Sequence, residues 1–151
     1  MKRPFIIYLT AMILASQAFA QTTEDSVKTT VNNLFAAMKN GDAAALKNAF
    51  ADSAILQTIS VDKDGNVRIR NENIKAFAEF VGKQPKGAAD ERISFETIRI
   101  DGPLAIVWTP YKFYLNNNFS HCGVNSFQLV RLKGEWKIQY LIDTRRRSPC
   151  D

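Results

Sequence analysis

The stretch LAIVWTPYKFYLNNNFSHCGVNSFQLVRLKGEWKIQYLIDT, residues 104–144, decides the fold. Two turn signals, Asn116 to Asn118 and Lys133-Gly134, divide it into three segments of apolar–polar alternation. That period of two predicts long strands over Leu104–Leu115, Phe119–Arg131 and Glu135–Thr144, folded back on one another as hairpins. Asp101-Gly102 is a further turn signal and predicts a fourth strand, Arg92–Ile100, ahead of them.

The residues before this meander have a different period. TTEDSVKTTVNNLFAAMKNGD begins with cap residues Thr22 and Thr23, then repeats Val27, Val31, Leu34, Phe35 and Met38 at helical spacing until Gly41. Asp42 caps a shorter helix carrying Leu46 and Phe50. Ala54 to Ser60 and Val67 to Arg70, joined through Asp64-Gly65, form a hairpin. Asn71 is placed to cap a third helix through Ile74, Phe77, Ala78 and Val81. Helices followed by an antiparallel meander predict an α+β domain, its helices packed on one face of a curved sheet.

Residues 1–20, MKRPFIIYLTAMILASQAFA, have a basic start, an apolar run from Phe5 to Leu14 and a small-x-small close at Ala18-Phe19-Ala20. This layout predicts a secretory signal peptide cleaved near Ala20. The run is short for a membrane span, and no cysteine stands at the cleavage point for lipid attachment. The expected mature product is a periplasmic or secreted single domain over residues 21–151. The chain's net charge of +5 includes Lys2 and Arg3 of the leader, so the mature domain is only mildly basic. Arg145-Arg146-Arg147 is the one dense basic cluster, too narrow a face for nucleic acid.

Register turns the strands into a candidate site, because residues directly opposite each other share a face. With two residues in each turn, Phe95, Trp108, Phe127 and Tyr140 align in one row. Thr97, Ile106, Leu129 and Ile138 lie beside it; Ile93, Pro110, Asn125 and Ile142 lie on the other side. Tyr114, His121 and Arg146 extend the same face outward. The other face holds Ser94, Glu96, Val107, Tyr111, Ser126, Gln128, Gln139, Leu141 and Asp143. The first face is apolar at its centre and polar at one end, the composition of a small-molecule pocket. Its candidate ligand-binding residues are Phe95, Trp108, Tyr114, His121, Asn125, Phe127, Tyr140 and Arg146.

His121 is the only histidine and stands beside Cys122. Neighbours on a strand point to opposite faces, which opposes a His–Cys dyad. A zinc site would need further ligands, and no metal or cofactor is expected. Cys122 and Cys150, the two cysteines of the chain, are expected to form a structural disulfide in an oxidising compartment.

VNNLFAAMKNGDAAALKNAFADSAIL (31–56) and FQLVRLKGEWKIQYLIDTRR (127–146) together resemble the nuclear transport factor 2-like superfamily, with its polyketide-cyclase-like and ketosteroid-isomerase-like members. The chain is most similar to small exported bacterial proteins labelled "putative lumazine-binding". The resemblance implies a cystatin-like cone: a bent sheet around helices, an apolar cavity, and often a homodimer through the outer sheet face. It also implies two further readings besides an exported small-molecule binder. One is an isomerase, dehydratase or hydrolase using His121 or Asp143 for proton transfer, with Tyr114 and Tyr140 as donors; an Asp143–Arg145 pairing would require a β-bulge. The other is a homodimeric interaction module without a ligand.

Overall fold

A computed structural model describes residues 23–150; the expected leader and cleavage point lie outside these residues. Helix α1 covers residues 23–40 and α2 Ala43–Asn48. Strands β1 (Phe50–Val61) and β2 (Val67–Glu72) precede α3 (Ile74–Gly82). Then come β3 (Ala89–Ile93), β4 (Thr97–Asp101), β5 (Leu104–Leu115), β6 (Asn118–Leu132) and β7 (Glu135–Thr144). The expected α+β class holds: three helices in the first half of the chain accompany a curved sheet with order β2-β1-β7-β6-β5-β3, β4 also pairing β5. All pairings are antiparallel except β1 with β7.

Val27, Val31, Leu34, Phe35 and Met38 form the apolar stripe of α1 and are buried. They meet the inward residues Ala105, Val107, Phe127, Leu129 and Ile138 of the sheet. Phe35 meets Phe127 edge to face at 6.2 Å between ring centroids. Asp42 caps α2 by accepting from the Ala45 N–H at 2.9 Å. The cap of α3 is Asn73, whose side chain accepts from Ala76, and not Asn71, which remains in β2. Phe50 likewise belongs to β1 and not to α2.

The meander departs from the expected register at four places, the first being the β4–β5 turn, where Gly102-Pro103 sets Asp101 opposite Leu104 and Thr97, not Phe95, opposite Trp108. Between β5 and β6 the turn is Asn116-Asn117, both at positive φ, with Leu115 opposite Asn118. One extra residue, Ser120, then bulges out of β6 between the pairs Tyr114–Phe119 and Phe113–His121. The net slip is one residue, so Val107 rather than Trp108 faces Phe127. The β6–β7 turn, Lys133-Gly134, is as expected and sets Leu129 opposite Ile138. A second bulge at Gln139 shifts the rest of β7, pairing Phe127 with Leu141 and Asn125 with Asp143. Finally, Arg92–Ile100 is two strands. Opposite the gap stands Pro110, which has no N–H; its carbonyl and that of Trp108 accept from Ser94 and Glu96.

A one-residue slip reverses facing. Val107, Tyr111, Leu141 and Asp143, expected outside, therefore lie inside. Trp108, Ile106 and Thr97 lie on the convex face, with Trp108 45% exposed. Tyr140 points the same way and donates to Gln57 Oε1 at 2.6 Å.

Candidate functional site: a cavity with one polar end

The inward residues of β3, β5, β6 and β7, with α1 and α3, enclose a cavity of about 370 Å³. Leu34, Phe35, Met38, Leu56, Phe77, Phe80, Phe113 and Leu141 make it predominantly apolar. Glu91, His121, Asn125, Asp143 and Arg145 supply the polar groups of one end, and Glu72 and Asn73 also line the cavity. Glu91 stands opposite Phe113, His121 follows the Ser120 bulge, and Asp143 follows the Gln139 bulge.

Asp143 is the anchor of the cluster. Its Oδ1 accepts from Thr58 Oγ1 at 2.6 Å, and its Oδ2 from Tyr111 OH at 3.0 Å and Arg145 Nε at 2.9 Å. Tyr111 also reaches the Thr144 carbonyl at 3.0 Å. Burial and the Asp143 charge push the Tyr111 phenol far up, so it stays protonated as a donor. Gly123 permits this crossing. A Cβ there would sit 1.8 Å from Thr144 O and 2.9 Å from the Tyr111 ring.

Glu91 receives one hydrogen bond, from Asn125 Nδ2 at 2.8 Å. Burial, reinforced by the Asp143 charge against the opposing Asn125 bond, raises its carboxyl to about 7. The group is therefore divided between acid and carboxylate near neutral pH. His121 packs on Phe113, centroids 5.0 Å apart, and edge-on to Tyr111 at 5.7 Å. Burial, then the Arg145 charge, lower its basicity and favour the neutral imidazole. Ser120 Oγ lies 3.0 Å from its Nδ1.

Of the eight ligand-binding candidates from the sequence, His121 and Asn125 line this cavity. Phe127 is completely buried beneath Phe35, in the core rather than the cavity wall. Phe95 packs half-buried against the core at the gap between β3 and β4. Tyr114 lies beyond the Ser120 bulge on the outer side, beneath the Arg92 guanidinium at 4.1 Å. Arg146 bridges to Cys122 and donates to the Pro149 carbonyl at 2.7 Å. Trp108 and Tyr140 are on the convex face, as the register requires. Asp143 and Arg145 meet through a bulge, the condition set for their pairing.

Glu91 was not a sequence candidate. Its context, Asp90-Glu91-Arg92, resembles a solvated charged edge. Asp90 and Arg92 do point away and pair with each other, while Asp90 also binds Lys39. The available signal was alternation itself: the residue between two outward charges on a strand faces inward.

Cys122 and Cys150 form a disulfide, so His121 and Cys122 have separate roles. Among the described residues, no group of three or more His, Cys, Asp or Glu is arranged to hold a metal ion. No helix among them is long and apolar enough to cross a membrane.

Similar folds occur in solved structures of low identity. An NTF2-like protein of unknown function from Shewanella baltica is 15% identical, with 84% of this chain and 96% of that one covered at a TM-score of 0.63. An NTF2-like protein with a cystatin-like fold from Novosphingobium aromaticivorans is 13% identical, covering 90% of both chains at 0.64. A third NTF2-like protein, from Methylobacillus flagellatus, is 19% identical over 83% of this chain and 93% of that one, at 0.60. None of the curated proteins matches significantly. The family described as "Putative lumazine-binding" matches residues 22–140. With its helices in the bowl of a bent sheet, the chain belongs to that family, and its fold is the cystatin-like one of the NTF2-like structures.

Proposed function

We propose that this protein binds a small organic molecule, apolar or aromatic over most of its surface, inside the cone. The observation that carries this reading is the cavity: about 370 Å³, walled by phenylalanine, leucine and methionine, with a few convergent polar groups. The family description adds lumazine, a flat heteroaromatic compound, as the first probe. Neither tryptophan is a suitable reporter. Trp108 is convex, and Trp136 donates to Ser26 at the base of α1. Lumazine's own fluorescence or calorimetry serves instead. Binding should weaken at least tenfold in Asn125→Ala and be unchanged in Trp108→Ala; the reverse pattern would place the ligand on the convex face.

The disulfide supports an oxidising location, in line with export after cleavage near Ala20. A second reading is an acid–base enzyme of isomerase, dehydratase or hydrolase type. It is favoured by the convergence of His121, Asp143 and the raised Glu91 carboxyl in one apolar cavity. Turnover of a candidate substrate, lost in His121→Ala or Asp143→Asn with the fold intact, would support it. The exposed Ile55, Val61, Val67, Ile69, Ile106 and Trp108 lie on strands sharing the convex face and favour pairing of two copies there. Sedimentation of Trp108→Lys beside the unaltered protein tests that pairing.

A further inference from the structure

The polar end of the cavity has an asymmetry of hydrogen-bonding capacity. The Asp143 carboxylate already accepts from Thr58, Tyr111 and Arg145. Arg145, His121 and protonated Glu91 have donors left, beside the acceptor Oδ1 of Asn125. Arg145 uses Nε on Asp143, which leaves its two terminal nitrogens, and its side chain is 42% exposed. In the tautomer whose Nδ1 accepts from the Ser120 hydroxyl, His121 presents Nε2–H. Glu91 uses one oxygen as acceptor from Asn125; its other oxygen carries the proton in the acid form. The cationic and N–H donors of this end suit a ligand that ends in acceptors.

We propose that the cavity takes a flat aromatic or alicyclic carboxylic acid, its ring body against Phe35, Phe77 and Phe113 and its carboxylate toward Arg145, His121 and Glu91. This deepens the binding reading above and rests on it. Asp143 and Arg145 neutralise each other, Glu72 on the cavity wall is paired with Arg70, and Arg147 adds a positive influence on His121. Ionised Glu91 would oppose a second carboxylate, whereas protonated Glu91 donates to it.

Binding is therefore coupled to uptake of a proton by Glu91. Its surroundings are defined on every side. Asn125 donates from β6; Tyr111 on β5 and Asp143 on β7 face it, with Arg145 just beyond. His121 and Glu72 line the same cavity. With the Glu91 carboxyl near 7, its acid form is about tenfold more populated at pH 6 than at pH 8, and carboxylate affinity falls by about that factor.

The test is calorimetric titration of the oxidised protein with 2-naphthoic acid and with 2-naphthamide, at pH 6 and pH 8. The expected result is tighter binding of the acid at pH 6, an approximately tenfold loss at pH 8, and little change with pH for the amide. In Glu91→Gln the pH ratio for the acid should fall to about one; Arg145→Gln should weaken the acid more than the amide. Amide binding equal to or tighter than acid binding in the unaltered protein overturns the carboxylate assignment while leaving a binding cavity. If neither compound nor lumazine binds, the cavity reading itself fails.

Discussion

Replacing Glu91 by glutamine should remove a specific pH dependence of stability. In the unfolded chain this carboxyl titrates near 4.5, whereas in the fold burial holds it at about 7. Below the first value both states bind the proton, and the protonated side chain adds no pH slope. Between the two values only the folded state keeps it, so stability falls as pH rises. Each unit of difference is worth about 1.4 kcal/mol, giving a loss of about 3 kcal/mol from acid pH to pH 8. Glutamine keeps an oxygen for Asn125 without titrating. His121 acts with the opposite sign: its lowered basicity gives stability above its ordinary value of 6.5, lost toward acid. It is present in both proteins and cancels in their difference. Urea unfolding of the disulfide-intact proteins from pH 4 to pH 8 measures that difference. Glu91→Gln should gain about 3 kcal/mol on the unaltered protein across the range. A flat difference curve would refute a half-buried Glu91 that holds its proton in the fold.

Three other outcomes follow from the same geometry. Gly123→Ala should be strongly destabilising, because its methyl would collide with Thr144 O at 1.8 Å and leave no relaxation that keeps Tyr111 and Asp143 in place; thermal unfolding measures the loss. Tyr111→Phe should cost about 1–3 kcal/mol in urea unfolding, since it withdraws a donor from Asp143 and from the Thr144 carbonyl. Reducing Cys122–Cys150 should cost at most about 3.6 kcal/mol by the chain-entropy relation for its separation of 28, less because the β6–β7 hairpin already closes much of that loop.

Much of the architecture was legible in the chain. The stripe from Val27 to Met38, the Lys133-Gly134 turn and the alternation of β6 placed α1 against the sheet and turned His121 and Asn125 inward. The two cysteines likewise showed their partnership through compartment and number. The rest was hidden by single-residue events. Ser120 and Gln139 are ordinary strand residues, and no composition signal marks either as a bulge. Yet each reverses every side chain beyond it, which is why Trp108 and Tyr140 exchanged faces with Val107 and Leu141. Pro110 did carry a signal, since a strand residue without an N–H interrupts its neighbour's ladder. Glu91 was obscured by Asp90 and Arg92, whose charges suggested a solvated edge although the strand's alternation requires one inward residue between them.

The most direct measurement is a crystal structure of the protein grown with the ring compound that titrates most tightly. The account requires its rings between α1, α3 and Phe113, and its polar atoms within hydrogen-bonding distance of Asn125, Glu91 or Arg145. A ligand lying instead against Trp108, with those inner side chains collapsed on one another, would contradict it.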